Sequence, residues 1–264
     1  MRFSSGLALL FGFIAIFGAF VWESGSLESI FLGPALLIVF GGTLAAGLAG
    51  TSVEVMVRMP KLIWIALFPK QYDRIEIIEQ FYEFSIFTRK EGILALERRL
   101  DEVKHPYMRR LFLLMIDGTD PQTLQKMAES ELNYMNERHN INITLFQKLG
   151  GYSPTMGIIG TVMGLIATLA SAGSDPTVLI KHIATAFIAT MWGIILANLL
   201  WLPIGDKLRV LNLEEIELMQ MILDGTLAIQ LGEIPSVVRA KLLASLPLSE
   251  QERYLQERGS RSIY

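Results

Sequence analysis

The chain has 264 residues, 52% hydrophobic and 19% charged, with a mean hydropathy above zero, a balance too apolar for an ordinary soluble domain. Its net charge of −3, with no dense basic run among aromatics, argues against a nucleic-acid partner, and the absence of cysteine removes disulfides, thiolate nucleophiles and Cys-based metal sites. What remains is a membrane protein.

Gly6 to Trp22 is uninterruptedly apolar, preceded by Arg2 and closed by Trp22, a residue type that prefers the membrane interface. A signal peptide opens similarly, but no small-x-small cleavage site follows and a second apolar stretch begins almost at once. That stretch, Ile30 to Gly50, has Pro34 near its start and then Gly41, Gly42, Ala45, Ala46 and Gly47, small residues that favour close helix contact. Glu23 to Ser29 is expected to form a tight hairpin between the two spans.

The middle of the chain reads as helices. Arg58 to Lys70 is basic and aromatic and suits a membrane surface. Asp73 is placed to cap a helix with Ile75, Ile78, Phe81 and Tyr82 on one face, ending near Gly92. A second amphipathic run, Ile93 to Val103, turns Leu96, Leu100 and Val103 inward and Glu97, Arg98, Arg99, Asp101 and Glu102 outward, before Pro106 stops it. A third spans Tyr107 to Ile116 and ends at Gly118. Asp120-Pro121 is a strong helix start, and nothing from Gln122 to Lys148 breaks that helix.

Two further apolar segments, Leu149 to Ala172 and Ile183 to Ile204, are joined through the turn Gly173-Ser174-Asp175-Pro176. At helical spacing the first aligns Pro154, Gly157, Thr161, Gly164 and Thr168, and the second Ala186, Thr190, Gly193 and Ala197. Residues this small let backbones touch; the stripes suit each other, copies of themselves, or a partner helix. Lys207 to Ile229 continues the last span as a stalk stopping at Gly232, a short helix follows from Pro235, and Ser249 to Tyr264 is expected to lack order.

Neither short turn, Glu23 to Ser29 nor Gly173 to Pro176, contains Lys or Arg, whereas Val53 to Lys148 holds fourteen and the tail after Ile204 seven. By the positive-inside rule both termini and the large middle segment are cytoplasmic. The expected fold is an all-α membrane protein with four spans. Its parts are a membrane hairpin (1–53), a cytoplasmic helical domain (54–147), a second membrane hairpin (148–204) and a cytoplasmic extension and tail (205–264).

No catalytic constellation is present. His105, His139 and His182 have no partners at metal-ligand spacing, and there is no phosphate loop, nucleophile elbow or Ser/His/Asp grouping, so an enzyme is not expected. Ion carriers work through a carboxylate held within the membrane, yet every Asp and Glu here lies at a membrane edge or beyond it. The spans offer hydroxyls instead, among them Thr155, Thr161 and Thr190, so a partner helix is expected to supply the acid.

The runs Tyr152-Ser153-Pro154-Thr155-Met156-Gly157-Ile158-Ile159-Gly160-Thr161-Val162-Met163-Gly164-Leu165, Ala186 to Gly193, and Trp201-Leu202-Pro203 closely resemble the MotA/PomA flagellar stator subunits of the MotA/TolQ/ExbB group. Thr88 to Glu97, Asp117-Gly118 and Glu137-Arg138-His139 are also similar to that family, in the same order on a four-span plan. The resemblance implies a ring of five such subunits in the bacterial inner membrane around two copies of a MotB/PomB-type partner. That partner carries an essential membrane aspartate and a peptidoglycan-binding domain. Ion flow between them, H+ or Na+, turns the ring against the rotor protein FliG.

By the same resemblance Arg89 and Glu97 are rotor contacts and Pro154 and Pro203 belong to the coupling step. Left to spacing alone, they are a solvated helix face and ordinary kinks. Assembly of the ring is expected through the small-residue faces, with Gly157, Gly160, Gly164 and Gly193 as packing positions. Threonine at position 161 resembles sodium-type stators, and sodium requires oxygen ligands, so transient Na+ near Thr161 and Thr190 is expected, with Thr155 on the same pathway and no stable cofactor or metal. An ExbB/TolQ-type energiser resembles a three-span plan and would lack the first hairpin and the Arg89 to Glu97 segment; a passive membrane scaffold is the other alternative.

Overall fold

The computed structural model describes residues 4–70, 72–171 and 175–261, so Arg2 and the Gly173-Ser174 part of the outer turn lie outside the described residues. Every regular element among these residues is helical. The chain forms two compact units, Met1–Lys70 with Arg138–Leu211, and Gln71–Glu137 with Asn212–Tyr264. Two helices are long and apolar enough to cross a membrane, Pro121–Ala170 and the continuous Pro176–Gln230; the apolar stretches Gly6–Trp22 and Gly33–Ala49 are shorter.

In the first unit α1 (Ser4–Trp22) ends where Ser24 takes a φ of +66°, and the expected hairpin link contains a helical turn, α2 (Leu27–Ile30). The second apolar helix starts later than the sequence implied. It restarts at α3 (Gly33–Leu36), with Pro34 in its first turn where a missing N–H costs nothing, and runs through a π-helical segment, Leu37–Gly41, into α4 (Gly42–Ala49). The break before it leaves carbonyls without helical partners, and the buried Trp192 indole donates to that of Ile30 at 2.7 Å. Ala35 and Val39 pack there with Ala189, Trp192 and Ile195. α5 (Val53–Val57) and α6 (Met59–Leu67) follow; Leu62 and Ala66 turn inward while Trp64 stays exposed.

α9 (Pro121–Ala170) contributes to both units. α10 begins at Pro176, upstream of the apolar segment that opens at Ile183, because Asp175 caps it by accepting from the Thr177 N–H at 2.9 Å. α10 (Pro176–Leu196) passes through a π-helical segment, Ala197–Trp201, into α11 (Leu202–Gln230). Pro203 sits two residues past this segment. A proline ring collides with the carbonyl four residues back in a regular helix, and the wider π turn relieves that collision at Leu199.

In the second unit, α7 (Arg74–Glu91) starts as expected at Asp73, whose carboxylate accepts from the backbone of Ile75 and Glu76. Asp120 caps α9 through the N–H groups of Gln122 and Thr123. The Thr123 hydroxyl and these backbone groups hold its carboxyl below the usual range. Phe112 on α8 (Pro106–Ile116) meets Phe81 and Phe84 of α7 edge to face, with ring centroids 5.8 and 5.4 Å away. Gly225 of α11 lies under the Phe81 ring, where an added Cβ would stand 2.8 Å from it.

Ile93–Glu102 is a 3-10 helix following Gly92 at φ +86°, although Leu96 and Leu100 do turn inward, as does Val103 just beyond it. The tail, expected to lack order from Ser249 on, is helical over α13 (Leu248–Arg261), after α12 (Pro235–Leu243), while residues 262–264 lie outside the described residues. Tyr254 is the reason: its ring is buried and its hydroxyl bonds Glu79, which also accepts from Arg239 at 3.1 Å. Arg239 in turn lies over the Tyr82 ring.

Phe81→Ala is expected to cost about 3–5 kcal/mol by leaving a cavity above Gly225, whereas Leu94→Ala, on the exposed surface, changes stability by roughly 0.5 kcal/mol or less. Denaturant unfolding of the purified chain in detergent compares the two.

Candidate functional site

The small-residue stripes of α9 and α10 face each other. A Cβ added at Gly157 would stand 3.0 Å from the Ala189 carbonyl oxygen and 3.1 Å from the Thr190 Cα. One at Gly193 would stand 2.8 Å from the Ser153 carbonyl oxygen and 3.1 Å from the Gly157 Cα. Gly160 and Gly164 leave equally little room, with the Ala189 and Ala186 methyls 2.6 and 2.7 Å from an added Cβ. Backbone touches backbone along this seam. The sequence left open whether these stripes meet each other, copies of themselves or a partner helix; within this chain the four glycines pack against the facing helix.

Close approach brings two hydroxyls together. Thr161 and Thr190, both half-buried, are hydrogen-bonded to each other, and the Thr161 Oγ1 also lies 3.1 Å from the carbonyl oxygens of Gly157 and Ala186. A hydroxyl has one proton to donate, so of these oxygens only some are satisfied by donation from Thr161 at any moment. The result is a cluster of two hydroxyl and two carbonyl oxygens in an apolar seam. Thr155 does not join it: it is exposed and donates to the Tyr152 carbonyl at 2.7 Å.

Pro154 lies inside α9, with its Cα 3.3 Å from a Cβ built on Gly193. Lacking an N–H, it leaves the Gly150 carbonyl without its regular helical donor. Ser153, fully buried beside it, has a hydroxyl oxygen with no hydrogen-bond partner among the described residues, and neither has the Trp201 indole N–H in the π segment before Pro203. The sequence gives neither residue a role, since burial of a polar group has no signature in a chain this apolar.

In the second unit, Arg89 lies in the last turn of α7, where a cation offsets the helix dipole, and Glu97 lies in the 3-10 segment; both are exposed. Arg99, expected to point outward, is half-buried instead. Its guanidinium covers the Phe84 and Phe87 rings, 5.1 and 5.2 Å from their centroids, and its Nε donates to Glu102 at 2.9 Å. This hydrogen bond holds the Glu102 carboxyl below the usual carboxylate range. Arg99 thus pins the segment bearing Glu97 against the helix bearing Arg89, which outward-facing periodicity could not reveal.

Two helices long and apolar enough to cross a membrane, paired along small-residue faces with a hydroxyl cluster between them, are features of a helical membrane protein. Residues 99–221 match the MotA/TolQ/ExbB proton channel family. The chain is similar to motility protein A of Treponema pallidum, 32% identical over 93% of this chain and 94% of that one. It is also similar to chemotaxis protein PomA of Vibrio alginolyticus, 31% identical over 92% and 94%. Its fold is similar to the flagellar MotAB stator complex from Bacillus subtilis, with a TM-score of 0.88 and 28% identity over 95% of this chain and 99% of that chain. The chain belongs to the MotA/TolQ/ExbB proton channel family, within its motility protein A group.

Because Gly193 lies against backbone atoms that cannot swing aside, Gly193→Ala is expected to destabilise the chain by about 1–3 kcal/mol, while Gly18→Ala, with open space around it, does not. Thermal unfolding in detergent reads the difference.

Proposed function

We propose that this chain is the membrane subunit of a flagellar stator, which with a MotB/PomB-type partner converts ion motive force into torque. The reading is carried by similarity along almost the whole chain to a solved MotAB stator complex. In this reading the chain is a channel subunit and not an enzyme, and five copies surround two copies of the partner in the bacterial inner membrane. Gly6–Trp22, Gly33–Ala49, the outer part of α9 and α10 are its four spans. The two long helices supply the lengths, and the concentration of Lys and Arg in 53–148 and after 204 supports cytoplasmic termini. Residues 54–147 and 205–264 are then cytoplasmic.

The partner's aspartate supplies the carboxylate that the spans lack. Thr161 and Thr190, with the Gly157 and Ala186 carbonyls, offer the oxygen atoms a sodium ion needs on leaving water, and this supports Na+ over H+ as the driving ion. Thr155, exposed and a turn and a half away, is assigned to the path leading toward them. Pro154 and Pro203 flank the places where helix hydrogen bonding is interrupted and are assigned to coupling. Presence of the first hairpin and the Arg89 to Glu97 segment favours a flagellar stator over an ExbB/TolQ-type energiser, and the convergent oxygens favour ion flux over a passive scaffold.

Thr161→Ala is expected to abolish sodium-driven rotation while leaving the assembled complex intact, measured as tethered-cell rotation against sodium concentration. Rotation that persists without sodium and follows the pH gradient would make this a proton motor. At the rotor surface, contacts between exposed charges are each worth about 1 kcal/mol or less. Neutralising Arg89 or Glu97 alone should therefore reduce swimming in part, and Arg89→Glu with Glu97→Lys should reduce it far more. Unchanged swimming of the double reversal at low and high load would place the FliG contact elsewhere.

A further inference from the structure

Within the first unit the start of α1, the end of α6 and the Pro203 turn of α11 enclose a groove of about 210 Å3, lined by Ala8, Leu9, Leu67, Pro203, Ile204 and Lys207. Its walls are apolar and its one charged lining group is Lys207. That side chain is half-buried and makes no hydrogen bond or ion pair among the described residues. Asp206 is exposed next to it in the chain and does not line the groove.

We propose that this groove binds one anionic phospholipid, with part of an acyl chain between α1 and α11 and the phosphate on the Lys207 ammonium. Water gains no hydrogen bonds from walls of alanine, leucine, isoleucine and proline, whereas methylenes fill them without loss. The volume admits a chain of methylenes and not a helix, so a protein segment does not fit. The flanking surface is apolar and exposed in the single chain: Leu7, Leu10 and Phe11 of α1 are 62%, 55% and 73% exposed, as suits a surface against lipid. On α6 the exposed Trp64 ring lies 4.5 Å from that of Phe68, an aromatic pair of the type that marks the membrane interface. A lysine at such a depth extends its ammonium toward the headgroups, and the absence of a lining carboxylate selects an anionic headgroup over a zwitterionic one. The lipid would lie directly against Pro203, two residues past the π segment, so its occupancy would support the turn at which the helix changes its winding.

This site rests on the membrane placement proposed above, and two measurements separate their failures. The full-length chain is placed in nanodiscs of phosphatidylglycerol and phosphatidylcholine in equal amounts, and the lipid retained on release is weighed by native mass spectrometry. Phosphatidylglycerol is expected to be preferred about fivefold, the factor one lysine near an anionic headgroup supplies. Lys207→Gln should remove the preference, Lys207→Arg should keep it, and Leu9→Trp, which fills the groove, should lower retention of both lipids. An undiminished preference in Lys207→Gln, equal retention of both lipids by the unaltered chain, or unchanged retention in Leu9→Trp overturns the site. Release of the chain from membranes by alkaline carbonate overturns the placement and the site together.

Discussion

The contact between the glycine faces of α9 and α10 is the constraint on which the rest of the first unit depends. In lipid no hydrophobic force drives helices together, so two helices stay in contact only where their surfaces allow many close atom pairs. Gly157 and Gly193 provide this by removing side chains at the crossing, and the carbonyl of Ser153 and the backbone of Thr190 fill the space. The hydroxyl pair is a consequence. Thr161 reaches Thr190 and the Ala186 carbonyl only because the axes are this close.

Each helix of that pair also has a place where its own hydrogen bonding is incomplete. In α9 it is the turn before Pro154, next to a buried serine whose hydroxyl has no partner among the described residues; in the other helix it is the turn before Pro203, which has no N–H to donate, with the indole N–H of Trp201 also without a partner there. Regular helices resist change because every backbone group is satisfied, and these two turns are where that resistance is lowest. In the proposed motor they are the natural places for a helix to alter its course when an ion arrives, and the proposed lipid would lie against one of them.

The second unit solves a different problem, presenting charge on a firm base. Three phenylalanines of its core, Phe81, Phe84 and Phe112, meet edge to face, and the segment that carries Glu97 is a 3-10 helix, whose hydrogen-bond geometry is poorer than that of an α-helix. Arg99 compensates by covering two rings of α7 and bonding Glu102. Arg89 and Glu97 can therefore remain solvated without the surface beneath them being loose. The tail helix is held similarly, by Tyr254 and Arg239 converging on Glu79.

Much of this was legible in the sequence because it depends on periodicity and local chemistry. Uncharged apolar runs, the caps at Asp73 and Asp120, the stops at Gly118 and Gly232, and the small-residue stripes are all written along one strand of text, and the helices begin or end there. Where α10 starts and how the second apolar helix is broken were not legible, and the tail is helical over Leu248–Arg261 where no order was expected. Asp175 as a cap, the Trp192 bond to Ile30 and the burial of Tyr254 decide them, and the last two join residues distant in sequence. What the sequence alone determined is that stripes of glycine and threonine exist and must meet something. Only the tertiary structure decided that they meet each other, because helical spacing fixes which residues share a face but carries no information about which face of another helix will lie opposite.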